Sequence, residues 1–345
     1  MVGCLATPPS KRLQERRGPT NGRVCDDPST IADRESSQPN TTPRVSIVVP
    51  SRNRHRLLYE CVLGIATGTR SQPVEVIVVD DGSQPPLTAE SLPADVDVLV
   101  LRLEGEGPAA ARNAGARVAR GDIVLFTDDD VVPSLGWAAA AVDYMDGHLS
   151  SVAVTGSIRS AVWDPLYEQS VEAAEPGHQW TCNIAYRRDV FARLGGFRAD
   201  VFTNAHAEDR DLAIRALETG EIGFSGDMEV RHTPRRIGLR DVARQARWAR
   251  DDLVLYALHP ELTNDFALPV KLALVVGAGR PWLRHAFMPS SATSLKRLPR
   301  AFTLTLIATT ATAWAVLRTP PASVLRSRHA AGSTAATAIG SAPKP

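Results

Sequence analysis

Between residues 44 and 126 the chain alternates short runs that are apolar almost throughout with stretches of helical periodicity. The runs are RVSIVVP (44–50), VEVIVVDDGS (74–83), VDVLVLRL (96–103) and DIVLF (122–126). A strand with one face in water alternates apolar and polar residues, whereas a strand apolar on both faces has to be covered on both. Helical segments lie between the runs. RHRLLYECVLGIATG (54–68) carries Leu57, Leu58, Cys61, Val62 and Ile65 at helical spacing, and GPAAARNAGARVA (107–119) is Ala-rich. This order predicts an α/β fold, a mainly parallel sheet flanked by helices. In such sheets ligands lie in the crevice beyond the carboxyl ends of the strands.

Three polar clusters sit at those ends: PSRNR after the first run, DDGS closing the second and TDDD after the fourth. Asp is a favoured turn residue, so TDDD taken alone reads more readily as a solvated turn. Three clusters converging on one crevice point instead to a ligand site. The first strand-helix turn lacks G-x-G-x-x-G, and no G-x-x-x-x-G-K-[ST] loop occurs, so phosphate is not cradled by a glycine loop. Carboxylates hold a phosphorylated ligand only through a divalent cation, and an Asp-x-Asp pair suits Mg²⁺ or Mn²⁺. If the segment is extended, Asp128 and Asp130 point the same way and Asp129 elsewhere.

The 345 residues carry a formal net charge of +1, which gives no field for a nucleic-acid partner. Cys4, Cys25, Cys61 and Cys182 are scattered without metal-type pairing, which fits a reducing, cytoplasmic setting. Residues 1–43 and 319–345 contain no Phe, Trp or Tyr and are expected to be unstructured tails. Residues 301–317, AFTLTLIATTATAWAVL, are uncharged and follow the basic LKRLPR. A helix packed on the folded domain is expected there, with contact to the inner face of a membrane as the competing reading.

VSIVVPSRNR, VEVIVVDDGS, AAARNAG, IVLFTDDDVVP and HAEDRDLAIRA occur in the order and spacing of the family 2 glycosyltransferases, which the stretch 44–235 resembles. The resemblance implies the GT-A type of fold, a Rossmann-like sheet, and metal-assisted, inverting transfer from a nucleotide-diphosphate sugar. It divides the chain into a catalytic domain over 44–260, with a nucleotide-sugar half at 44–133 and an acceptor half at 134–260, followed by a helical extension over 261–318. The donor-facing set it implies is Pro50, Ser51, Asp80, Asp81, Arg112, Asn113, Asp128 and Asp129. Pro50 and Ser51 would wall the base, Asp80 and Asp81 would hydrogen-bond base and ribose, and Arg112 would hold the donor. Asp128 and Asp130 match the outer acids of the Asp-x-Asp motif, and His232 after a short strand makes a third metal candidate.

In EDRDLAIRALETG (208–220) the acids complement a helix N-terminus, and the resemblance makes Asp209 the general base with Glu208 beside it. Asp211 reads as structural, paired with Arg215 one turn on. Trp180 is a candidate for stacking on a sugar, and Arg235 and Arg236 for neutralising diphosphate. The acceptor stays open: a saccharide, a lipid-linked glycan or a small molecule. A sugar nucleotidyltransferase is the alternative enzyme, but PSRNRHR lacks the glycine its phosphate loop needs. A non-catalytic sugar- or nucleotide-sugar-binding protein would have no use for both TDDD and Glu208–Asp209. A glycosidase needs no metal or nucleotide pocket.

Overall fold

The computed structural model describes residues 23–25, 43–69, 74–93, 96–262, 274–275 and 294–319. The apolar runs are strands close to where the pattern puts them. The strands are β1 (Arg23–Cys25), β2 (Val45–Ser51), β3 (Val74–Asp81), β4 (Val98–Leu103), β5 (Ile123–Thr127), β6 (Val131–Pro133), β7 (Ser151–Ser160), β8 (Glu168–Gln169), β9 (Asn183–Arg187), β10 (Glu221–His232) and β11 (Arg235–Arg236). The helices are α1 (His55–Gly68), α2 (Pro108–Val118), α3 (Trp137–Gly147), α4 (Arg188–Arg193), α5 (Glu208–Leu217), α6 (Leu239–Leu258) and α7 (Ser294–Arg318).

Nine strands form one sheet in the order β1-β4-β3-β2-β5-β9-β7-β10-β6. The five from β1 to β5 run parallel; β9 is antiparallel to both β5 and β7, β10 is parallel to β7, and β6 is antiparallel to β10. The chain leaves β2 for β3 and β4 on one side, then returns to place β5 on the other. That reversal sets the crevice at the carboxyl ends of β2, β3 and β5.

The two faces of the sheet are covered by different helices. On one, Leu58, Cys61, Val62 and Ile65 of α1 and Trp137 and Met145 of α3 pack with Val45, Ile47 and Val49. On the other, the alanines of α2 and Leu212 and Ala216 of α5 pack with Val48, Ile77 and Val79. Gly115 lets α2 come close, because a Cβ there would lie 2.4 Å from Val48 Cγ1. The helices that carry Arg112 and the Glu208–Asp209 pair, α2 and α5, are thus seated on the same face.

One part of the expected N-terminal tail is ordered. Arg23–Cys25 adds a parallel edge strand to β4, whose outer backbone groups would otherwise be unpaired. The rest of 1–42 and all of 320–345 lie outside the described residues. The apolar run at 301–317 is helical and packs on the domain. Ala301, Leu304 and Ala308 of α7 join Leu166, Ile237 and Val242, and Val316 joins Ala249 and Leu253 of α6. The opposite stripe, Phe302, Leu306, Trp314 and Leu317, is 56–83% exposed. Pro299–Arg318 is long and apolar enough to cross a membrane by length and composition, with a mean hydropathy of 1.3.

Candidate active site

At the carboxyl ends of the parallel strands lies a cavity of about 780 Å³. Pro50 and Ser51 line it from β2, Asp81 from β3, Arg112 from α2, and Asp128, Asp129 and Asp130 from the connection after β5. Glu208 and Asp209 of α5 and His232 of β10 close it from the other half of the sheet. The three strand-end clusters do share one crevice.

The triple aspartate is a turn, and it is also the place where positive groups gather. Val131 N donates to Asp128 O across 3.4 Å, so the segment bends between β5 and β6 instead of running extended. The extended segment is therefore corrected to a turn; Asp128 and Asp130 both line the cavity, each held by a different guanidinium. Arg112 donates to Asp128 at 2.6 Å, and Arg54 Nη1 donates to Asp130 at 3.0 Å. Asp129 turns inward and accepts from Ser51 Oγ at 2.7 Å and from Arg54 at 2.8 Å. Burial pushes its carboxyl up to about 6, against the pull of Arg54.

His232 is the last residue of the twelve-residue β10, not of a short strand. Its Nδ1 lies 3.0 Å from Ser170 Oγ, which orients the ring, and its Nε2 lies 3.6 Å from Asp130 Oδ1. Cis ligands of a Mg²⁺ or Mn²⁺ ion bound at about 2.1 Å sit roughly 3 Å apart, so a small adjustment brings Asp130 and His232 onto one ion. Among the described residues no group of three or more His, Cys, Asp or Glu is arranged to hold a metal. The side chains therefore fit a divalent cation as two ligands, with the remaining positions left to ligand oxygens and water.

Two expected donor contacts are corrected. Asp80 is fully buried and does not line the cavity. Its oxygens accept from the backbone N–H of Ser83 and Leu87 and from Arg102, its direct neighbour across β4. Burial alone would raise this carboxyl, but those hydrogen bonds hold it below its ordinary value. The next residue faces the other way along the strand. Asp81 lines the cavity and accepts from the N–H of Glu106 and Gly107 at 2.7 and 2.9 Å. Asn113 likewise turns from the crevice, since its side chain clasps the backbone of Phe197, donating at 2.7 Å and accepting at 2.9 Å.

Arg112 joins the two halves of the site. It is 2% exposed, and its second contact is to Glu208 Oε1 at 3.0 Å. Glu208 is equally buried, with Oε2 left without a hydrogen-bond partner. Burial raises the Glu208 carboxyl, the Asp209 charge adds to the rise, and Arg112 opposes it. Burial also raises Asp209, while the Arg210 N–H at 2.8 Å and the Arg112 charge pull it back. The helix start is fixed by Ala207 in a left-handed conformation and by Asp211. Asp211 is buried and accepts from Arg215, Arg198 and His259 at 2.8, 2.7 and 2.8 Å.

The remaining wall is aromatic and basic. Trp180 is stacked on His178 with ring centroids 4.3 Å apart, and Arg235 lines the cavity, whereas Arg236 is exposed beyond it. Four residues that sequence reasoning passed over also border the site. Arg54 and Ser170 hold the acid turn and His232, and His206 is stacked on Trp248 with centroids 4.9 Å apart. Arg54 stood in plain view within PSRNR and His206 within HAEDRDLAIRA; Ser170 and Trp248 carry no local signal.

The profile of glycosyl transferase family 2 matches residues 46–200. A pre-mycofactocin glycosyltransferase of Mycobacterium tuberculosis is 30% identical over 264 residues, 68% of this chain and 53% of the relative. The chain thus spans about half the length of that protein. Glycosyltransferase AglE of Haloferax volcanii is 26% identical over 267 residues, covering 72% of this chain and 83% of the relative. Among solved structures, the mannosyltransferase PcManGT from Pyrobaculum calidifontis, in complex with GDP-Man and Mn2+, is 23% identical at a TM-score of 0.47, over 87% of this chain and 85% of that one. A TM-score that low carries no comparison of sites. The family match spans β2 to α4 and the crevice residues from Pro50 to Cys182, with Glu208, Asp209 and His232 beyond it: the chain carries a glycosyl transferase family 2 domain.

Proposed function

We propose that the protein transfers a sugar from a nucleotide-diphosphate sugar to an acceptor hydroxyl, with inversion at the anomeric carbon and Asp209 as general base. The observation that carries this reading is that Asp81 and the acid turn share one cavity with Asp209. In this reading, 44–133 binds the donor and 134–260 the acceptor. Pro50, Ser51 and Asp81 meet the base and ribose, and Asp130 and His232 hold Mg²⁺ or Mn²⁺. That cation, when bound, neutralises charge on the diphosphate.

The chain's own groups account for the rest. The acceptor oxygen attacks the anomeric carbon as the bond to the diphosphate oxygen breaks, and its proton passes to an Asp209 oxygen. Asp209 must be ionised to accept that proton. Arg112 favours this by placing positive charge near both carboxyls, and Glu208 keeps Arg112 in place. Arg112 also fixes Asp128, so the donor and acceptor sides keep a constant separation. Arg235 faces the leaving diphosphate.

The acceptor is a saccharide, a lipid-linked glycan or a small molecule, not nucleic acid. The exposed apolar stripe of α7 supports contact with the cytoplasmic face of a membrane, where a lipid-linked acceptor would lie. Asp209→Asn tests the base: donor affinity by calorimetry should persist, while transfer falls by roughly 10²–10⁴-fold. Transfer by this variant at the wild-type rate would place the base elsewhere.

A further inference from the structure

Arg54 sits where a cation is wanted. Its Nη1 contacts Asp129 Oδ1 at 2.8 Å and Asp130 Oδ2 at 3.0 Å, its side chain is 32% exposed, and it lines the cavity. Both carboxylates are more deeply buried than the guanidinium that bridges them. The start of α1 does not depend on that side chain, because it is the backbone oxygen of Arg54 that accepts from Leu58 N at 3.0 Å.

We propose that Arg54 is an internal counter-ion that holds Asp130 until a divalent cation takes that carboxylate, so that cation and nucleotide diphosphate bind together. The inference rests on the proposed metal role of Asp130. Arg54 bridges Asp129 and Asp130, while Arg112 is shared between Asp128 and Glu208, so Arg54 is the guanidinium paired with Asp130. Arg235 and His232, on the far wall, add no negative charge. A divalent ion arriving alone meets an Asp130 carboxylate that is already paired, and it must displace Arg54 from it. A diphosphate changes the balance, since it brings negative charge both for the ion and for the displaced guanidinium. Arg54 keeps its contact to Asp129 throughout, so its freed N–H groups stay in the cavity, facing the phosphate oxygens. Arg54 is on this account a positioning residue for the cation and a binding residue for the donor.

The test is Mn²⁺ binding to the full-length protein, with free Mn²⁺ followed by electron paramagnetic resonance, alone and with UDP, GDP or dTDP. Removing a unit positive charge a few ångströms from a divalent ion should tighten Mn²⁺ binding to the free protein by about tenfold or more in Arg54→Gln. The same variant should lose most of the gain in Mn²⁺ affinity that the diphosphate confers on the wild type. Arg54→Lys, which keeps the charge but loses the fork between the two carboxylates, should fall between the two and decides the matter if the glutamine variant does not fold. Mn²⁺ affinity unchanged or weakened in folded variants would overturn the proposal while leaving the metal role intact. No Mn²⁺ binding by any of the proteins, even with diphosphate, would overturn the metal role itself and this inference with it.

Discussion

Replacing Arg112 with Met would remove a buried group that pairs with a carboxylate in each half of the site. The two carboxylates it serves are not equally dependent on it. Asp128 keeps 30% of its side-chain surface in the cavity and can be hydrated, whereas Glu208 has 2% and cannot. The variant therefore leaves one buried carboxylate uncompensated, and breaking a buried pair in this way costs about 3–5 kcal/mol. The cost should depend on pH. Glu208 already has a raised folded-state pKa, so its protonated form is favoured in the native protein. Stability from that group is present below its unfolded pKa and is lost as pH rises through the folded value. Without Arg112 the folded value rises further, so the variant gives up more stability than the wild type as pH increases. Urea unfolding of both proteins at pH 5.5 and 8.5 measures this directly. A loss below about 1 kcal/mol at both pH values would refute the view that Arg112 is an essential bridge.

Other consequences concern the reaction and the C-terminal helix. Burial raises the Asp209 carboxyl, so a base that must be ionised should give a transfer rate that falls with decreasing pH, the acid limb lying above the ordinary carboxylate range. A flat profile down to pH 4 would remove Asp209 from that role. If the exposed stripe of α7 meets lipid, the wild type should sediment with phosphatidylglycerol vesicles more than with phosphatidylcholine vesicles, and Leu306→Ser with Leu317→Ser should release it. Equal sedimentation of wild type and variant would count against lipid contact through that face. If Asp130 and His232, 3.6 Å apart, hold the ion as proposed, chelation should abolish transfer and Mn²⁺ or Mg²⁺ restore it; full activity in excess chelator would contradict this.

The parallel half of the fold was legible because β2, β3 and β5 are apolar on both faces, a pattern that few structures other than a covered sheet can satisfy. The position of the site followed from where those strands end. What sequence could not settle was which member of each polar pair faces the cavity. Asp80 and Asp81 are adjacent in sequence but on opposite faces, and only the register placing Arg102 opposite Asp80 decides which one is structural. Asn113 was misplaced for the same reason, since its partner is the backbone of Phe197, far along the chain. TDDD was legible either as a turn or as an extended segment; it is a turn, with Asp128 on Arg112 and with Asp129 and Asp130 sharing Arg54. The strand β1 has three residues and no pattern to announce it. Trp248 of α6, which stacks on His206, has no local signature at all.

The central claim is that this crevice binds a nucleotide-diphosphate sugar through a divalent cation. It is tested most directly by thermal unfolding against UDP-, GDP- and dTDP-sugars, each with and without Mn²⁺. A donor at about a hundred times its dissociation constant adds about 2.7 kcal/mol. For a domain of this size that corresponds to a rise of roughly 5–10 °C in Tm. The account predicts such a rise with one nucleotide class, in the presence of Mn²⁺ and not in its absence, and its disappearance in Asp130→Asn. A Tm unmoved by every donor, with or without the metal, would contradict it.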